Sequence, residues 1–136
     1  TRFALEPSGE EQAVSDDEAV RLLAPYLTAV AGKREGSMML AALGMEKTPR
    51  RALIGVMGVM QAALRDAIFR AEGLREPPLQ PALAKQSEAL ASALTPERLL
   101  AFYDFTDELV HRISRNAASA AVTCALTSDV YRICYQ

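Results

Sequence analysis

One segment limits this chain's fold more than any other. Between Ala52 and Leu64 the only polar side chain is Gln61, and the run follows directly on Thr48-Pro49. Leu53, Met57, Met60, Leu64 and Ala67 recur at alternating spacings of four and three, the period that places side chains on one helical face. Ile54, Val56 and Val59 widen the stripe until the helix is apolar nearly all round, which predicts the buried centre of a bundle. Thr48 is the expected N-cap and Pro49 the first-turn residue, because proline lacks the N–H that a helix start leaves unpaired. Gly55 and Gly58 are expected to let another helix approach closely, at a propensity cost of about 1 kcal/mol each. The helix turns polar at Arg65-Asp66 and is expected to end by Gly73.

The rest of the chain repeats this pattern. Alanine and leucine supply 41 of the 136 residues and valine with isoleucine only 12, a composition that favours helix over strand. No period-two alternation and no repeat is visible, so the chain is predicted to be all-α, a single bundle of five to six helices. Residues 1–14 are read as a leader or linker and residues 15–136 as the helical domain. Ser15 and Glu18 form a capping box for a first helix with the stripe Val20, Leu23, Leu27 and Val30. Pro25 predicts a kink or a late start there, and Gly32 the stop. A short helix is expected from Ser37 to Leu43, with Gly44 as the left-handed closing residue. Pro77, Pro78 and Pro81 make an extended connector, from which a fourth helix runs toward Leu94. Thr95-Pro96 starts the fifth, with Leu99, Phe102, Tyr103, Thr106, Leu109, Val110 and Ile113 on one face. Asn116 is expected to close it and to cap the last helix, whose stripe is Ser119, Val122, Leu126, Val130 and Ile133.

Candidate chemistry is sparse. Glu108 and His111 have the Glu-x-x-His spacing of carboxylate-bridged metal bundles, but His111 is the sole histidine. The helical wheel also turns both residues away from the apolar stripe, whereas such ligands project inward. No glycine-rich phosphate loop and no nucleophile–base pair is apparent. No catalytic residue, metal or cofactor is therefore assigned. Cys124 and Cys134 match neither a disulfide framework nor a zinc spacing, which suits a reducing cytoplasm. No uninterrupted apolar run reaches the roughly 18–20 residues of a membrane span. The formal charge is −2. Six acids and Arg2 fall within residues 1–18, and the remainder, with fourteen basic and eleven acidic side chains, stands at +3. Little direct nucleic-acid binding is expected from so small an excess. Lys47, Arg50 and Arg51 read most simply as a solvated helix end, and the five methionines as core filling. Leu100, Phe105, Tyr131 and Tyr135, with Cys124, lie off the core stripes and are the candidates for a partner interface.

Two segments resemble a known family. Ala52 to Gly73, ending Leu64-Arg65-Asp66-Ala67-Ile68-Phe69-Arg70-Ala71-Glu72-Gly73, resembles the central helix of the C-terminal domain of the delta-prime subunit of the bacterial DNA polymerase III clamp loader. Glu108 to Asn116 (Glu-Leu-Val-His-Arg-Ile-Ser-Arg-Asn) resembles that family's helix ending in an arginine-bearing turn and an asparagine. The similarity covers roughly Ala19 to Leu126, with Ala118 in place of the family's second asparagine and Cys124 where a glutamate is common. It implies a non-enzymatic oligomerisation domain that packs with other clamp-loader subunits, gamma/tau and delta, into a closed collar. ATP, clamp and DNA would be handled by domains preceding Thr1, with residues 1–14 as the linker. The equivalent domain of gamma/tau is the related alternative, and a helical ligand-binding regulatory domain is the unrelated one.

Overall fold

The computed structural model describes residues 15–136; the predicted linker 1–14 lies outside them. The described residues form six helices and no strand. They are α1 (Asp16–Ala31), α2 (Glu35–Gly44), α3 (Arg50–Ala71), α4 (Ala84–Ala93, entered through a 3-10 turn at Pro81–Leu83), α5 (Pro96–Ser114) and α6. The last is an α segment Ser119–Cys124, a wider π turn Ala125–Asp129 and a second α segment Val130–Tyr135.

The two Thr-Pro signals behave differently. The Thr95 hydroxyl accepts the Arg98 N–H at 3.2 Å, and Pro96 is the first helical residue. At α3 the start lies one residue later than predicted. Pro49 is itself the N-cap, its carbonyl accepting the Leu53 N–H at 2.8 Å, and the Thr48 side chain caps nothing. Nor does α1 start late: it runs from Asp16 through Pro25. Arg21 and Pro25 are both exposed, so the carbonyl that proline leaves without an intrahelical donor lies on the water side.

Three helices close by one device. Past the end of α1, α3 and α5, the residues Lys33, Gly73 and Asn116 take positive φ values of 59°, 78° and 63°. The following N–H then reaches back to the third-last carbonyl: Arg34 to Ala29, Leu74 to Phe69 and Ala117 to Arg112, at 2.9–3.0 Å. Gly44, predicted to be left-handed, lies inside α2 with no positive φ, and the chain leaves α2 through tight turns at Met45 and Glu46. Asn116 closes α5 as predicted but does not cap α6; its side chain accepts from Arg50 instead.

Helix α3 is central, packing on α1, α4 and α5. Gln61, its lone polar residue in the apolar run, donates to Thr106 and Asp107 of α5 at 2.8 and 2.7 Å. Ser87 of α4 donates to the Ala63 carbonyl at 2.9 Å. Helix α3 is long and apolar enough to cross a membrane by length and composition alone, yet half of that stretch is buried by neighbouring helices. It is not enclosed all round as predicted. Gly55 and Gly58 are exposed, and nothing lies within 4 Å of where a Cβ would stand on either. Asp66, read as the polar end of the helix, is buried. Its carboxylate accepts the backbone N–H groups of Leu79 and Gln80, each at 2.9 Å, and fixes the proline connector onto α3.

The π turn is also bonded from outside its own helix. Tyr26, fully buried in α1, donates its hydroxyl to the Leu126 carbonyl within the turn at 2.6 Å. The extra residue shifts the helix phase. Val122, Leu126 and Val130 are buried as predicted, but beyond the turn Cys134 replaces Ile133 in the core; Ser119, ahead of the turn at the helix start, is exposed.

Candidate functional site

The groups with chemical potential lie apart. Glu108 pairs with Arg112 at 2.6 Å along the exposed side of α5, and His111 is exposed beside them. Among the described residues no three His, Cys, Asp or Glu side chains converge as a metal cage requires. Burial pushes the Cys134 thiol up to about 12, with Arg98 pulling weakly the other way. Burial also holds the Tyr26 hydroxyl well above its usual value, Cys134 adding to the effect. Both groups stay neutral near pH 7, where a thiol without thiolate character is a packing residue. Cys124 is exposed.

Arg50 spans the mouth of a cavity of about 150 Å³ between the starts of α3 and α6. Leu53, Ile113, Val122 and Leu126 line it. At its rim Glu46 accepts the Thr123 hydroxyl at 2.5 Å, and no buried side-chain polar atom among the described residues lacks a partner. The rim groups satisfy one another, and the volume is below the roughly 300 Å³ at which small-molecule sites begin. Lys47 and Arg51 are exposed nearby.

Of the surface candidates read from the sequence, Leu100 stands exposed on α5. Phe105 is half-buried against the core, with the Arg112 guanidinium 5.5 Å from its ring. Tyr131 and Tyr135 are brought together, ring centres 5.5 Å apart. The Tyr135 hydroxyl donates to the Val30 carbonyl at 2.5 Å, tying the end of α6 to the end of α1. These four residues thus lie on two separate helices, and the tyrosine pair already serves internal packing.

A different surface is more exposed. Helix α2 carries Met39, Leu40 and Leu43 at 46%, 72% and 45% exposure, while Met38 and Ala42 face inward. Met39 is therefore not core filling, unlike Met38, Met45, Met57 and Met60. Beside it an open groove of about 300 Å³ runs between α2 and α6, lined by Gly36, Met39, Cys124 and Ser128 among others. The available signal was composition: Met38 to Leu43 is apolar at every position, and so short a helix away from the bundle centre cannot bury all its sides.

Comparison of the chain with protein-family models, with curated proteins and with solved structures finds no match. Fold and surface together define an all-helical bundle whose accessible apolar side chains lie on its outside.

Proposed function

We propose that this chain is the C-terminal collar domain of the delta-prime subunit of the bacterial DNA polymerase III clamp loader. In this reading it is a non-catalytic, cytoplasmic oligomerisation domain that helps close the collar and so supports sliding-clamp loading in DNA replication. The observation that carries the reading is where the two resembling segments fall. Ala52–Gly73 coincides with the central helix α3 and its left-handed closing glycine, and Glu108–Asn116 with the end of α5 and its left-handed asparagine. These two helices share the most extensive contact in the bundle.

The mechanism is scaffolding. A core running from Leu23 and Tyr26 of α1 through Met57 and Met60 of α3 to Phe102 of α5 holds the helices in fixed relation. Surface residues then match the corresponding domains of neighbouring subunits, because a closed ring of unlike subunits requires complementary patches. The domain of a gamma/tau subunit is the nearest alternative and would use the same scaffold. The test is co-expression of the chain with the C-terminal domains of gamma/tau and delta. Co-purification of a stoichiometric complex is expected, with duplex DNA bound weakly and released between about 50 and 200 mM salt. No association at tens of micromolar, with thermal stabilisation by a small metabolite instead, would favour a ligand-binding domain.

A further inference from the structure

The charge of the helical body is not spread evenly. Residues 33–51, the segment holding α2 and its two flanks, carry Lys33, Arg34, Lys47, Arg50 and Arg51 against Glu35 and Glu46. Their excess of three positive charges equals the whole excess of residues 19–136. All seven side chains are exposed, and of the two acids Glu46 is engaged with Thr123. Between these basic ends lie Met39, Leu40 and Leu43, the densest group of exposed large apolar side chains in the described residues, and the groove beside Cys124. At 1.5 Å per residue the ten-residue α2 presents a strip about 15 Å long, enough for about three turns of one partner helix.

We propose that this face of α2, with the adjoining edge of α6, docks a helix from a neighbouring clamp-loader subunit's C-terminal domain, one whose aliphatic stripe is flanked by acidic residues; this rests on the collar reading above. The aliphatic stripe covers Leu40 and Leu43, and one side chain enters the groove between Met39 and Cys124. Acidic residues at either end meet Lys33 and Arg34, and Lys47 and Arg51. Opposite charges at the rim speed encounter and fix register, while the apolar centre holds the complex. A second copy fits less well, because pairing α2 with α2 sets basic ends against basic ends.

The test measures affinity of the 136-residue chain for the gamma/tau C-terminal domain. Leu40→Asp is expected to weaken binding about tenfold or more, with helicity and melting temperature unchanged because Leu40 is largely exposed. Lys47→Glu with Arg51→Glu is expected to slow association at low salt and to lose that effect near 0.5 M salt. If the unsubstituted chain binds no collar domain, the collar reading fails and this surface with it. If the chain binds and Leu40→Asp binds equally well, the surface assignment alone is overturned. A loss confined to Leu100→Asp would move the contact to α5 and overturn it too. A concentration-dependent dimer abolished by Leu40→Asp would assign the face to a second copy. Tighter binding by a Glu6→Gln, Glu10→Gln, Glu11→Gln variant would assign it to the chain's own acidic segment.

Discussion

Asp66 offers the sharpest test of how the bundle is held, because it is 5% exposed and its carboxylate holds two backbone N–H groups of the proline connector. Replacing it with alanine removes two bonds in which a charged acceptor meets a backbone N–H, together with the Arg65 contact at 3.1 Å. Hydrogen bonds to charged groups contribute about 1.5–3 kcal/mol each. Leu79 is exposed, so its freed N–H recovers a bond to water, and the Arg65 pair is partly solvated and contributes little. A net loss of about 2–4 kcal/mol is expected for Asp66→Ala. Asp66→Asn should recover only part of it, since an amide offers one acceptor oxygen where two N–H donors converge. Urea unfolding at neutral pH gives the free energies, and hydrogen exchange at Leu79 and Gln80 reports the connector itself. A loss below about 0.5 kcal/mol, or unchanged exchange at both amides, would refute the anchoring role.

Thr95→Ala should cost about 1 kcal/mol while Thr48→Ala costs less than about 0.5, because only the first threonine caps a helix; thermal melts of the two variants decide it. The Cys134 thiol ionises near 9 when unfolded and near 12 when folded. The unfolded chain therefore releases a proton first, and stability should fall as pH rises from about 9 toward 12, a decline that Cys134→Ala should reduce in urea titrations. At pH 8 a thiol reagent should label Cys124 and spare Cys134 in the folded chain, which peptide mass analysis reads directly.

The sequence revealed the helices better than their junctions. Period placed α3 and α5, and capping the start of α5, because both signals are local, whereas at α3 the N-cap is Pro49 and Thr48 caps nothing. Closure was less legible: Gly44 suggested a left-handed residue, but Lys33 adopts one, since what must turn there is fixed by the packing of α2 on α1 and not by residue type. The phase of α6 was readable at Val122, Leu126 and Val130 and lost at Ile133, beyond a π turn whose Leu126 carbonyl is bonded by Tyr26, one hundred residues away in the chain. Asp66 looked like a surface charge for a similar reason, its partners being two backbone N–H groups in a connector with no side-chain signature. The surface was the least accessible feature. Wheel projections of α5 and α6 singled out Leu100, Phe105, Tyr131 and Tyr135, yet a wheel does not show that Tyr135 bonds to Val30 or that no helix among the described residues covers the outer side of α2.

Sedimentation velocity of the chain mixed in equal amounts with a gamma/tau C-terminal domain tests the central claim most directly. A collar segment should co-sediment with that domain as one heavier species at low micromolar concentration, at a mass equal to the sum of one copy of each. Two independent boundaries persisting at tens of micromolar, with the delta C-terminal domain behaving the same way, would contradict it.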